Sequence, residues 1–203
     1  MIEKDKKNKS WTVVDEAGKE QTIWESRSMA SAVFVFTKDV EGHWRVLGIR
    51  RGSGCQDYQG YWCCPCGYLD YNETLVQAAA RECREETGII LPALQMRLYK
   101  YTDNPSENRQ NITALHYAIL KNGLDYSITQ KWNEKDEVDE IGWIRVDQLD
   151  KKSWAFDHNL TIKEIFLMRV GVPWWKKMIL KFYEKFLSSS SFDYKTLKDH
   201  AWK

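Results

Sequence analysis

The 203-residue chain has almost no net charge: 30 Lys and Arg against 29 Asp and Glu leave +1. Such a balance supplies no electrostatic footprint for a polyanion, so no nucleic-acid partner is expected. There is no 18-residue apolar run, and a membrane span is therefore not expected. Met1 to Ser10 is Lys-rich without an apolar stretch, which argues against a signal peptide. Histidines are few and scattered, at 43, 116, 158 and 200, and no second Cys or His pair complements Cys63-Cys64-Pro65-Cys66, so structural zinc is not expected. The five cysteines, at 55, 63, 64, 66 and 83, form an odd, clustered set for which a reduced, cytoplasmic compartment is the simpler reading. No internal repeat is evident. What remains is 43% hydrophobic residues with ten Trp and ten Tyr, enough for one globular domain with a substantial core plus an extension.

The most informative stretch is Arg81-Glu82-Cys83-Arg84-Glu85-Glu86-Thr87-Gly88-Ile89. At about 100° per residue, Glu82, Glu85 and Glu86 span an arc of roughly 100°, while Val76, Ala79, Ala80, Cys83 and Thr87 take the adjacent arc. One face packs and its neighbour carries like charges, which cost about 0.2–0.5 kcal/mol per pair unless a cation neutralises them. Clustered carboxylate oxygens are what Mg²⁺ and Mn²⁺ prefer; a solvated acidic face is the alternative this fragment alone leaves open. Thr74 with Gln77 spells a capping box, predicting a helix that begins at Leu75 and stops at Gly88. Alanines at 78, 79 and 80 favour that helix and permit close approach to a sheet. Gly67, in a bend after Pro65 and Cys66, reads as a glycine needed for backbone freedom.

From Gly67 to Ile89 the chain reads Gly-x5-Glu-x7-Arg-Glu-U-x-Glu-Glu-x-Gly-U, where U is a bulky aliphatic residue, with Glu73 as the first acid. This matches the Nudix box, and the chain resembles the Nudix hydrolase family over roughly residues 28 to 170. Every fixed polar and glycine position is present across the 23 residues; Cys83 replaces the first aliphatic residue, a place a small buried hydrophobe can fill. Outside the box the likeness rests on Trp62 and Pro65 before it and on Trp143, Ile144 and Leu149 after it.

The resemblance implies an α/β/α sandwich with a mixed sheet. Independently, Trp11 to Val14 and Gln21 to Trp24 flank a turn and read as a β-hairpin. Ala30 to Phe36, apolar on both faces, reads as a central strand, and Trp44 to Ile49, Met96 to Thr102, Ile112 to Leu120 and Ile141 to Val146 are further strands. A helix is expected near Asn159 to Met168. Residues 1–27 then form a tail and hairpin, 28–170 an α/β domain, and 171–203 a helical extension. In that extension, Trp174 to Leu187 reads as a basic amphipathic helix that packs on its own domain or a twin subunit, with a membrane surface as the alternative. The hairpin and this helix are the elements that suggest a homodimer.

The chemistry the resemblance implies is hydrolysis of a nucleoside diphosphate linked to another group, with Mg²⁺ or Mn²⁺. By position in the box, Glu82, Glu85 and Glu86 become metal ligands. Cys66 stands where the family usually carries a glycine whose backbone carbonyl is a ligand, and a carbonyl survives the substitution. Arg81 orients Glu85, and Glu73 pairs with Arg81 or supports the ligands; direct catalytic participation of both is the open alternative. The general base is either a box glutamate or an acid of a late loop, here Glu137 or Glu140, unless that loop is simply solvated. Arg50 and Arg51, at a strand end, are candidates to hold the substrate's phosphates.

Pro105, 16 residues past Ile89, and the segment Tyr101 to Pro105 resemble the post-box loop of ADP-ribose pyrophosphatases in this family. Ala155-Phe156-Asp157-His158 resembles a segment of ADP-ribose-type and regulator-type members and reads as architectural. No Ser-Gln-Pro-Trp-Pro-Phe-Pro pattern follows the box, which weighs against an NADH pyrophosphatase. The expected substrate is therefore ADP-ribose-like. A Nudix-fold sensor is the rival, although it would usually lose box acids and carry a complete DNA-binding domain. An isopentenyl diphosphate isomerase needs histidines this chain does not visibly supply.

Overall fold

The computed structural model of the protein describes residues 9–105, 111–121 and 136–171. The expected basic helix, Trp174 to Leu187, lies outside the described residues. Strands β1 (Lys9–Val14) and β2 (Glu20–Glu25) form a two-stranded antiparallel sheet of their own, with Trp11 opposite Ile23. Asp15 closes the turn: its Oδ1 accepts from the N–H groups of Ala17 at 3.0 Å and Lys19 at 2.9 Å. The Trp11, Val13 and Ile23 side chains of the hairpin stand exposed.

The principal sheet has seven strands: β3 (Ser28–Lys38), β4 (Trp44–Arg51), β5 (Trp62–Cys63), β6 (Cys66–Tyr68), β7 (Arg97–Thr102), β8 (Asn111–Ile119) and β9 (Val138–Arg145). Their order is β5-β4-β3-β8-β7, with β6 also on β3 and β9 on β4. β3 runs parallel to β8, from Ser28 beside Asn111 to Phe36 beside Ile119, and every other pairing is antiparallel. Alternation along β3 explains the layers, because successive strand side chains point to opposite faces. Ala32, Phe34 and Phe36 pack with Leu149, Ile162 and Ile165 on one face; Val33 and Val35 pack with Ala79 and Cys83 on the other. Helix α1 (Leu75–Thr87) thus covers one face and helix α2 (His158–Ile165) the second, which is the expected α/β/α sandwich.

Local chemistry sets the limits of α1. Thr74 Oγ1 accepts from Gln77 N–H while Gln77 Oε1 accepts from Thr74 N–H at 2.8 Å, and Gly88 ends the helix at φ 75° with its N–H on Arg84 C=O. Thr74→Ala should lower the unfolding free energy by about 1 kcal/mol in a denaturant titration, the cost of losing an N-cap. The helix near Asn159 is found as α2, which continues into a π-turn at Phe166–Val170. Strands β5 and β6, of two and three residues, are additional to the expected set. All five cysteines are free thiols, and Cys63, Cys64 and Cys83 belong to three different core clusters. Among the described residues no helix is long and apolar enough to cross a membrane.

Candidate active site

β6 and α1 place the box glycine against the box acids. Gly67 lies within β6 beside Ser31 of β3, and a Cβ built on it would come within 2.1 Å of Glu82 Oε1 and 2.3 Å of Glu82 Cδ. The expectation of backbone freedom at Gly67 is therefore corrected: its φ is not positive, and what the position requires is the absence of a side chain. The Glu82 carboxylate occupies that space.

Arg81 organises the remaining acids. Its Nη1 donates to Glu82 Oε1 at 2.7 Å and Glu85 Oε2 at 2.9 Å, and its Nη2 donates to Glu73 Oε1 and the Tyr68 carbonyl, both at 2.8 Å. The hydrogen bonds from Arg81 hold the Glu73 carboxyl below the usual range, and the pairing raises the Arg81 guanidinium further above its own. Glu86 is held apart from this fork: its Oε2 accepts from the Cys66 N–H at 2.9 Å. Burial, then the neighbouring Cys66 and Glu82, push the Glu86 carboxyl well above its ordinary value. The helical wheel thus puts three carboxylates on one face, but their oxygens divide between Arg81 and the Cys66 amide. An all-oxygen donor set, with the Glu82 carboxylate seated over Gly67 and one carboxyl that needs nearby positive charge to ionise, fits a hard divalent cation.

The two arginines of β4 differ in surroundings. Arg50 Nε is 3.4 Å from Glu140 Oε2 on the adjacent strand β9. Past a register shift, Arg51 Nε donates to the Asp57 carbonyl at 2.9 Å, and its guanidinium lies 5.0 Å from the Phe156 ring centroid. Arg51 opposes, without overturning, the upward shifts of the Glu86 carboxyl and the Cys66 thiol. Gly52 and Gly54 clasp the turn that carries Glu137: Gly52 N–H donates to Glu137 C=O at 2.7 Å and Gly54 N–H to Asp136 C=O at 2.6 Å. A Cβ on Gly52 would be 2.1 Å from Asp136 O. The Cys55 thiol, which donates to the Glu137 carbonyl at 3.3 Å, is pushed up by burial; Arg51 opposes that shift and Glu137 adds to it.

Sequence reasoning missed an aromatic group beside Arg51. Tyr58, Phe156 and Asp157 have φ of 56°, 57° and 54°, a left-handed conformation that costs about 1–2 kcal/mol per side-chained residue. Backbone bonds impose it: His158 N–H donates to Ala155 C=O, Ala155 N–H to Trp62 C=O, and Tyr61 N–H to Tyr58 C=O. Tyr58 meets Phe156 edge to face at 5.0 Å and Tyr61 at 5.7 Å, and the three rings are 47%, 44% and 42% exposed. Nothing in the local sequence marks Tyr58 or Tyr61. Phe156, read as architectural, reaches this group through a turn.

His158, in the same turn, is buried and accepts from Cys64 N–H through Nδ1 at 2.9 Å. Burial, then the Arg51 charge, holds its pKa at about 3. The unfolded chain, with a value of about 6.5, binds the extra proton between these limits, so stability is complete above about 6.5 and falls as pH drops toward about 3, by up to about 1.4 kcal/mol per unit. His116, lowered by burial, acts with the same sign. The urea midpoint should therefore fall between pH 7 and pH 5, with a shallower fall in His158→Asn, whose Oδ1 can still accept from Cys64.

Among the described residues, one trio of metal-capable side chains has its ligand atoms within 4.8 Å of one another: Asp39, Glu41 and His43, between β3 and β4. Asp39 already accepts from the Glu41 and His43 N–H groups at 3.1 and 2.8 Å and from Arg45 Nε at 2.9 Å, so its carboxylate closes the hairpin.

The chain is similar to several known proteins. The ADP-ribose-responsive transcriptional repressor NtrR of Acinetobacter baylyi is 25% identical over 149 residues, covering 72% of this chain and 56% of that protein. The ADP-ribose pyrophosphatase of Methanocaldococcus jannaschii is 25% identical over 127 residues, covering 63% and 69%. The chain thus spans a little over half the length of the first relative and about two thirds of the second. Among solved structures, the NUDIX domain of Shewanella oneidensis NrtR complexed with ADP ribose superposes with a TM-score of 0.58 at 22% identity, covering 69% of this chain and 86% of that one. The profile of the NUDIX domain matches residues 28–165, the whole span from β3 to the end of α2, and the chain belongs to the Nudix family.

Proposed function

We propose that the protein hydrolyses the diphosphate linkage of a nucleoside diphosphate derivative, with ADP-ribose as the first candidate. One observation carries this reading: every box acid is present, and Arg81, Gly67 and the Cys66 amide hold those acids in a defined arrangement. Family members are mostly hydrolases that use divalent metal ions, and ADP-ribose recurs in the names of the relatives. Glu82, Glu85, Glu86 and the Cys66 carbonyl would hold Mg²⁺ or Mn²⁺. The ion supplies screening of phosphate charge and a lowered pKa for bound water.

The chain's own groups do the rest. Arg81 fixes the Glu82 and Glu85 carboxylates, and Glu73 fixes Arg81. Arg51, and Arg50 once exchanged from Glu140, would neutralise substrate phosphate oxygens through planar contacts. A carboxylate oxygen of Glu137 or Glu140 would take the proton of the attacking water, leaving a nucleoside 5′-monophosphate and the phosphorylated second group. Arg81→Lys, which replaces a fork by a point charge, should lower kcat/KM by about 10- to 100-fold, measured on ADP-ribose.

A panel of nucleoside diphosphate compounds assayed with Mg²⁺ and with Mn²⁺ tests the proposal directly. Turnover of ADP-ribose supports it. Similarity to an ADP-ribose-responsive repressor favours one second reading, a ligand sensor. ADP-ribose binding with no turnover of any compound under either metal would select that reading instead.

A further inference from the structure

We infer that His158 is a positioning residue for the metal-holding acids, acting through the Cys64 amide and the Cys66 backbone on Glu86. The inference deepens the proposed function and rests on its assignment of Glu82, Glu85, Glu86 and the Cys66 carbonyl to a divalent cation. Three observations carry it. First, Cys66 meets the acids through main-chain atoms: its N–H donates to Glu86 Oε2 at 2.9 Å, and its carbonyl is the candidate ligand. A backbone group has no rotamer with which to adjust, so its place is set by whatever holds the chain on either side. Second, the two residues just before Cys66 lie outside the strands, because β5 ends at Cys63 and β6 begins at Cys66. Pro65 has no N–H, so Cys64 supplies the only backbone donor in that gap, and His158 Nδ1 accepts it at 2.9 Å.

Third, the turn before α2 is shaped to aim that ring. Phe156 and Asp157 precede His158 at φ of 57° and 54°, a left-handed conformation that side chains disfavour and that persists only where the surroundings impose it. Trp62 N–H donates to Ser153 C=O and Ala155 N–H to Trp62 C=O, both at 2.8 Å, which fastens the turn to the strand that leads into Cys64. The imidazole stands edge to face with Phe34 at 5.1 Å and tilted against Phe156 at 5.5 Å, packing that holds it on Cys64. Burial keeps the ring neutral, with its proton on Nε2 and a lone pair on Nδ1 for the amide. The layer of α2 thus sets the place of a group that works on the α1 side of the sheet.

The test is Mn²⁺ affinity, read from the electron paramagnetic resonance signal of free Mn²⁺, so that it does not depend on hydrolysis. His158→Leu leaves the Cys64 N–H without an acceptor and should raise the dissociation constant about 10- to 100-fold, the usual cost of losing an orienting contact behind a metal ligand. His158→Gln, whose amide oxygen sits a methylene further out, should do likewise, and it carries the test if the leucine variant does not fold. His158→Asn places Oδ1 where Nδ1 stands and should recover most of the affinity. Ile162→Val trims buried core one turn further along α2 without touching the bond, so it should lower the melting temperature and leave the affinity unchanged, which separates lost positioning from lost folding. Wild-type affinity in the leucine or glutamine variant, a loss in His158→Asn or Ile162→Val equal to theirs, or no Mn²⁺ binding by the wild type would overturn the positioning role. Hydrolysis of ADP-ribose alongside unchanged affinities would defeat that role alone; Mn²⁺ binding that follows His158, with no compound turned over, would defeat the hydrolase reading alone.

Discussion

Glu85→Gln and Glu86→Gln are each expected to lower turnover of ADP-ribose by on the order of 10³-fold, while the protein unfolds at nearly the wild-type denaturant concentration. The two effects separate because the carboxylates contribute charge at the site and little to the core. Removing one preorganised electrostatic contact from a reacting centre costs about 10²–10³ in rate, and loss of a metal ligand falls at the upper end. At 1.36 kcal/mol per tenfold, the loss is about 4 kcal/mol of transition-state stabilisation. For folding, Glu85 gives up an ion pair to Arg81 that is 39% exposed on the acid side, worth under about 1 kcal/mol. In Glu86→Gln, the new side-chain amide would retain an oxygen to accept from the Cys66 N–H and would relieve the crowding of Glu86 with Glu82. Steady-state kinetics with parallel urea denaturation checks both halves. Full activity in both variants would remove these residues from the ligand set.

Gly67→Ala is expected to be nearly as damaging to turnover, although the substitution adds one methyl group and touches no charge. The added Cβ would overlap the Glu82 carboxylate at 2.1 to 2.7 Å from its three terminal atoms. The flexible carboxylate yields rather than the backbone, so the fold should hold, and alanine is about 0.5–1 kcal/mol better than glycine inside a strand. Displacing a positioned group by about 1 Å can cost about 10²-fold. Kinetics should thus show at least about a 10²-fold fall in kcat/KM with stability equal or higher. The Gly67→Ala, Glu82→Gln double variant should be no worse than its more damaged parent, because both changes remove the same contact. Additive losses would show that Gly67 acts through something other than Glu82.

Much of this architecture was legible because its causes are local. Thr74, Gln77 and Gly88 announce the limits of α1 within one turn of each end, and the two-sided apolar run of β3 announces a central strand. The acids of the box follow from helical spacing. What could not be read depends on partners far along the chain. Gly67 reads in sequence as a bend glycine needed for backbone freedom because its steric partner, Glu82, lies on another element. Strands β5 and β6 are too short to carry a pattern and exist only through their bonds to β4 and β3. The Phe156 turn gives no sign in its own sequence that it meets Tyr58, since the contact depends on Trp62 binding the backbone on both sides of Trp154. Arg50 and Arg51 are adjacent in sequence, yet the register shift between them sends one toward Glu140 and the other toward Phe156.

The parallel pairing of β3 with β8 carries a kinetic consequence. Ser31 and His116, bonded at 3.1 Å across it, are 85 residues apart, and the whole of β6 and α1 lies between the two strands in the chain. The hairpin can close from neighbouring residues, whereas the central strand gains its second full partner only after a long loop has been gathered, an entropic cost that slows folding. During synthesis the box helix therefore emerges well before its supporting sheet is complete. Refolding experiments should accordingly show α1 protected from amide exchange no earlier than β8, so that the site appears in the same step as the sheet beneath it.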